Sequence, residues 1–223
     1  MPDLNLHLMD GESGAILPQR RLPEPDALAV LESATITAAE LVPWGSNYTF
    51  AVVLETEDGA GHLAIYKPKR GERPLWDFPT GTLYLRERAA YLLSRRLGWD
   101  IVAPTIIRNG PHGLGSVQSY IPADPAFSED HEFWGRRSLE IERLVLFDHL
   151  ANNADRKLTH CLVDIHGKVW GIDHGLTFNE VPKLRTVLWQ FAGRRVSPVL
   201  LDDLRRLQAQ CDAFTAELGP LLQ

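Results

Sequence analysis

Two rhythms of apolar and polar positions divide this chain. Five stretches, Ser33–Leu41, Phe50–Thr56, Gly61–Lys67, Ile101–Arg108 and Gly115–Ile121, are short apolar runs bounded by turn residues, which predicts strands. Glu57-Asp58-Gly59-Ala60 and Asn109-Gly110-Pro111-His112-Gly113 are turn sequences, so each joins two of these strands as a hairpin. Elsewhere the apolar spacing is three and four, the mark of one helix face. It predicts a short helical turn at Ala27–Leu31 and a helix over Thr80–Leu97 that stops at Gly98. Further helices are predicted over Leu184–Phe191, Pro198–Gln210 and Asp212–Leu222. Residues 1–26 read as an irregular lead-in with room for one strand, and Asp124–Arg137 as a polar connector.

The chemistry concentrates between Leu139 and Phe178. Ile141, Leu144, Val145, Phe147 and Leu150 form a buried helix face, which breaks at the turn-forming pair Asn152-Asn153. Asp155-Arg156-Lys157 follows. Two short apolar runs come next, Cys161–Val163 and Val169–Ile172, turned at His166-Gly167, and the second delivers Asp173 into His174-Gly175. Asp155 and Asp173 therefore stand at the two ends of one hairpin, an arrangement suited to a metal ion and a phosphate. In protein kinases a catalytic-loop Asp accepts the hydroxyl proton, a polar residue five positions on holds a metal, and a later Asp-x-Gly supplies a second metal ligand. Asp155, Lys157, His160 and Asp173 fall at those offsets.

On these residues the chain resembles the phosphatidylinositol 3-/4-kinase-like superfamily. NNADR followed by IDHGLTF is similar to its catalytic and metal-binding loops, nearest to type II phosphatidylinositol 4-kinases and to small bacterial phosphatidylinositol-kinase-like proteins. The resemblance runs from Val42 to Phe191 with order and spacing intact. It implies an α+β, two-lobed, atypical protein-kinase-like fold. Residues 1–121 would form a lobe of five antiparallel strands with one helix, and residues 122–223 a mostly helical lobe. It further implies ATP as donor, Mg²⁺ or Mn²⁺ as metal, Asp155 as the group that deprotonates the acceptor, and Lys157 as a neutraliser of the transferring phosphoryl. Asp173 would ligate the metal, joined by His160 where the wider family has Asn. The acceptor stays open among lipid, protein, sugar and metabolite, with Lys157 leaning toward a protein or small molecule.

The first half supplies matching candidates. Gly45, Ser46 and Asn47 suit a loop whose N–H groups face an anion, although an ordinary hairpin turn fits them as well. Leu63, Ile65 and Lys67 share a strand face by the period of two, ending in a lysine able to grip phosphates. Lys69 competes for that role from beyond Pro68. Glu87 is the acid between Gly81 and Trp99, which makes it the expected partner of Lys67; a surface pair with Tyr91 or a neighbouring arginine is the alternative. The resemblance places an adenine-reading hinge at Gln118, Ser119, Tyr120 and Ile121. The segment from Arg70 to Pro79 matches the small bacterial family without an evident mechanism.

Composition limits the setting. A net charge of −6 argues against bulk attraction to nucleic acid or anionic membrane. Two cysteines make no disulfide framework, and no stretch is apolar enough to span a bilayer, so the expectation is a soluble cytoplasmic protein. Three functional readings are compatible with the residues. The first is an atypical kinase, and the second a nucleotide-binding pseudokinase, for which His160 is the main support. The third is an unrelated metal-dependent hydrolase built on Asp148, Asp155, His160, Asp164, His166 and Asp173, a reading that gives Lys67 and Glu87 no task.

Overall fold

The computed structural model describes residues 22–43, 47–127 and 130–222. The loop candidates Gly45 and Ser46, and the lead-in as far as Arg21, lie outside the described residues. The chain divides into two compact units. One comprises the residues up to Leu85 together with Pro104–Pro122, and the other comprises Arg86–Ala103 together with the residues from Ala123 onward.

The first unit is a sheet backed by a helix. Strands β1 (Thr35–Leu41), β2 (Phe50–Glu55), β3 (Gly61–Pro68), β4 (Thr105–Gly110) and β5 (Gly113–Ser119) lie in the order β1-β2-β3-β5-β4, every neighbour antiparallel. Helix α1 (Glu24–Ser33) is longer than the turn expected from Ala27–Leu31. Pro25 in its first turn suits a helix start, acids Glu24 and Asp26 favour the same end, and Arg108 Nη1 donates to the carbonyls of Leu31 (2.7 Å) and Ala34 (2.9 Å) at the other. Leu31 and Ala34 pack with Val52, Leu54, Ala64, Tyr66, Ile106 and Val117 into one core. Along β3 it is Ala64 and Tyr66 that enter this core, while Leu63, Ile65 and Lys67 alternate onto the other, half-buried face.

The second unit carries most of helix α2 (Leu83–Leu97), a short helix α3 (His131–Gly135), helix α4 (Leu139–Leu150), the hairpin β6 (Cys161–Val163) and β7 (Val169–Gly171), and helices α5 (Pro198–Ala209) and α6 (Cys211–Leu222). Helix α4 buries Ile141, Leu144, Val145 and Phe147, and the Ser138 hydroxyl caps its start. Its buried Glu142 reaches Ser197, accepting from the backbone N–H at 2.8 Å and from the hydroxyl, which anchors the entry to α5. The Trp99 indole N–H donates to Asp203 of α5 at 2.7 Å.

Other expected elements change for identifiable reasons. Helix α2 starts at Leu83 rather than Thr80, because Gly81 has φ +74° and the Thr82 hydroxyl turns back to the Pro79 carbonyl. The strand expected over Ile101–Arg108 begins only at Thr105. The N–H groups of Ile101 and Val102 are taken by the Ser94 hydroxyl, and the Ile101 carbonyl accepts from Gly171, so residues 101–103 serve the second unit instead. Leu184–Phe191 is not a helix. The Arg185 N–H donates to the Asn153 carbonyl (2.9 Å) and its carbonyl accepts from the Arg156 N–H (3.0 Å), so the backbone groups a helix needs are spent on the 153–156 loop.

Candidate functional site

Helix α4 ends in the turn that starts the site. Asn152 has φ +48°, and its amide donates to the Asn179 and Val181 carbonyls while its oxygen accepts from the Lys183 N–H. Asn153 is buried and works in both directions. Its Nδ2 donates to Asp148 (2.8 Å), and its Oδ1 accepts the Asp155 N–H (3.0 Å), which turns the chain so that Asp155 emerges half-buried. Lys157 Nζ lies 2.7 Å from Asp155 Oδ2, with its side chain 57% exposed. An ion pair that open to water is worth under about 1 kcal/mol, so Lys157 is held only loosely to this carboxylate.

The hairpin β6–β7 brings the second segment back to the first. His160 precedes β6 and Asp173 follows β7, and the His160 Nε2 lies 3.3 Å from Asp173 Oδ2. The other ring nitrogen, Nδ1, is 3.0 Å from the Asp155 carbonyl, which can only accept, so Nδ1 carries the proton. Burial holds His160 below its ordinary pKa even though Asp173 pulls the other way. The neutral ring therefore turns a lone pair toward a carboxylate, and two acceptors that converge in this way suit a cation between them. His160 Nε2 and Asp173 Oδ2 are the two atoms that would hold such an ion. Among the described residues no three or more His, Cys, Asp or Glu side chains group to hold a metal ion. Any further ligands at the His160–Asp173 pair would come from substrate oxygens or water.

Two of the acids named in the hydrolase reading have other partners. Asp148 is committed to a buried arginine. Asp164 accepts from the His166 and Lys168 N–H groups and from the Trp170 indole, and closes the hairpin turn. These bonds hold the Asp164 carboxyl below its ordinary pKa although burial pushes it up.

Glu87, buried on α2, accepts the His174 backbone N–H at 3.1 Å. From the same helix Arg86 donates to the Thr177 (2.6 Å) and Phe178 (2.8 Å) carbonyls. Asp173 (φ +58°) and Phe178 (φ +55°) are both left-handed, which is costly for Phe. The Arg86 bonds and a 2.6 Å bond from Phe178 N–H to the Ala151 carbonyl hold that backbone in place. In the first unit Lys67 stands on β3 opposite Ser116, and the Asn47 Oδ1 accepts the Arg73 N–H at 2.8 Å. At the expected hinge the Gln118 amide donates to the Thr105 hydroxyl, and the N–H groups of Ser119 and Tyr120 are taken by the Pro104 and Leu63 carbonyls.

Sequence reasoning missed Arg156. Its guanidinium is fully buried against Asp148, with Nη2 2.8 Å from Oδ1 and Nε 2.9 Å from Oδ2. Burial works against its charge, but the Asp148 carboxylate outweighs burial, and the pKa is raised. A signal was present. Asp148 lies seven residues after Ile141, on the buried face of α4, where a charge requires a buried partner.

No family model matches the chain. Among solved structures it is similar to the Golgi casein kinase with Mn/ADP bound, with a TM-score of 0.55 at 17% identity over 89% of this chain and 68% of that one. A second structure of the Golgi casein kinase gives 0.51 at 16% identity over 89% and 67%. Likeness at this identity concerns the fold, which is α+β, two-lobed and of the atypical protein-kinase-like kind. Among curated proteins the chain is 37% identical to Protein Rv2133c of Mycobacterium tuberculosis over 233 residues, spanning 89% of this chain and 81% of that protein. The chain belongs to the family of that mycobacterial protein.

Proposed function

We propose that this chain is an ATP-dependent phosphotransferase that moves the γ-phosphoryl group to a hydroxyl acceptor. One observation carries the reading. In a kinase-like fold, a single imidazole stands between the Asp155 carbonyl and the Asp173 carboxylate, at 3.0 and 3.3 Å. Asp155 takes the hydroxyl proton as the acceptor oxygen bonds to the γ-phosphorus and the bond to ADP breaks. Lys157, loosely paired and exposed, turns from Asp155 toward the charge on the transferring group. Asp173 and His160 would hold a divalent ion, Mg²⁺ or Mn²⁺, which when bound would supply charge neutralisation at the nucleotide phosphates. The Golgi casein kinase neighbour with Mn/ADP bound supports this pairing of metal and nucleotide.

Other roles follow residue by residue. Lys67 grips phosphate oxygens, Asn47 with Gly45 and Ser46 covers them, and Glu87 supports the site through the His174 N–H it holds. Adenine is read near Gln118–Ile121, where the engaged N–H groups of Ser119 and Tyr120 leave the task to Ile121 and to carbonyls. Residues 1–121 and 122–223 act as the two lobes. The NNADR and IDHGLTF motifs favour kinship with the phosphatidylinositol 3- and 4-kinases, and two free thiols favour the reducing cytoplasm. The acceptor is a hydroxyl of lipid, protein, sugar or metabolite.

The test is calorimetric titration of ATP with Mg²⁺ or Mn²⁺, beside phosphate transfer to a cell extract. Asp155→Asn should still bind ATP with metal while transfer falls about 10²–10⁴-fold. Asp173→Asn should lose metal-dependent binding as well as transfer. Binding without transfer in the wild type would mark a nucleotide-binding module instead. Absence of binding with either metal would sink both nucleotide readings.

A further inference from the structure

Arg156 stands between the two proposed reacting segments and takes no part in their chemistry. Its guanidinium has five N–H donors, and all five have acceptors. Nε donates to both Asp148 oxygens (3.1 and 2.9 Å), and Nη2 donates to Asp148 Oδ1 (2.8 Å) and to His174 Nε2 (2.9 Å). Nη1 donates to two carbonyls, those of His160 (2.9 Å) and Ile172 (3.2 Å). One nitrogen thus pins the residue that faces Asp173 and the residue that precedes Asp173. The Ile172 N–H also donates to the His160 carbonyl at 3.0 Å, so the two chain segments meet at the guanidinium edge.

We propose that Arg156 is the positioning residue of this site, and that its planar fork sets the separation of the Asp155–His160 loop from Asp173 and the tautomer of His174. The proposal rests on the phosphotransferase reading. Asp148 and Asn153 form the base of the device, since Asp148 fixes the fork and Asn153 ties Asp148 to the Asp155 N–H. Gly171 makes room for it. A Cβ there would lie 3.2 Å from Arg156 Nη2, 3.1 Å from His174 Nε2 and 2.9 Å from Leu144 Cδ1. Lysine could keep the charge beside Asp148, but a single nitrogen cannot hold a carboxylate, two carbonyls and a ring together.

The whole 223-residue chain serves for the test. Wild-type ATP–Mn²⁺ binding by calorimetry and phosphate transfer decide the phosphotransferase reading first. Arg156→Lys, assayed where circular dichroism shows it folded, should then lose roughly 100-fold in kcat and need a higher Mn²⁺ concentration for half-maximal transfer, the pattern of misplaced reacting groups and metal ligands. A folded Arg156→Lys protein with wild-type kcat overturns the positioning role and leaves the phosphotransferase reading standing. If that variant does not fold, Gly171→Ala decides by the same comparison, because it presses on the fork without removing a donor. A wild type that neither binds nor transfers overturns both. Nitrogen-15 spectra of His174 in the wild type need no variant. Nε2 is expected to carry no proton, because the Arg156 guanidinium can only donate to it, and a proton on Nε2 overturns the proposal.

Discussion

Asp148→Asn isolates the energy of the buried pair beneath the site. The substitution keeps side-chain size but removes the charge that faces Arg156. Three nitrogen–oxygen contacts of 2.8–3.1 Å lose their charge assistance, and one of the two carboxylate oxygens becomes a donor group. Both side chains are at most 1% exposed, so water cannot replace the lost counterion. Breaking one partner of a buried pair typically costs about 3–5 kcal/mol, because the remaining charge stays buried. For a chain of this size each kcal/mol is worth about 2–4 °C, so the melting temperature should fall by roughly 6–20 °C. Urea and thermal unfolding followed by circular dichroism measure it, with a lower midpoint at unchanged slope as the expected form. A loss below about 1 kcal/mol would place Asp148 and Arg156 among water-screened pairs and refute the argument from burial.

Three further outcomes are expected. Lys67→Ala should weaken ATP binding at least about tenfold, a loss of about 1.4 kcal/mol, and leave the ligand-free protein folded; if Lys69→Ala has that effect and Lys67→Ala does not, the phosphate-gripping role passes to Lys69. Burial pushes the Cys161 thiol up to about 12, whereas Cys211 is exposed, so Ellman's reagent at pH 8 should titrate one thiol in the native protein and two in denaturant; two fast native thiols would contradict the burial of β6. Asp164→Asn should cost about 1–3 kcal/mol near neutral pH. The Asp164 pKa is lowered on folding, so its contribution is present above about pH 3.9 and is lost as pH falls through the folded value; the gap between wild type and variant should therefore close in acid, and a constant gap would contradict the assignment.

How much was legible depended on the range of the interaction concerned. The hairpin β2–β3 follows from alternation on either side of Glu57-Asp58-Gly59-Ala60, and the β6–β7 hairpin from two apolar runs around His166-Gly167. The kinase-like fold was legible because a fixed order of strands, helix and loops leaves few ways to assemble. Leu184–Phe191 was misread because its apolar spacing fits a helix, while the backbone of Arg185 is held in the 153–156 loop by bonds the spacing cannot express.

Local pattern thus determined in this chain whatever depends on neighbours a few residues apart. That includes the strand pairs joined by short turns, the buried face of α4 and the stops at Gly98 and Asn152. Only the tertiary structure decided which charges are buried and with whom. Asp148 and Arg156 are eight residues apart, Arg156 and His174 eighteen, and Glu87 meets the His174 N–H across eighty-seven. Water would satisfy each of these groups in an open chain. Packing removes the water, and a buried charge must then find a partner in space regardless of its distance in sequence.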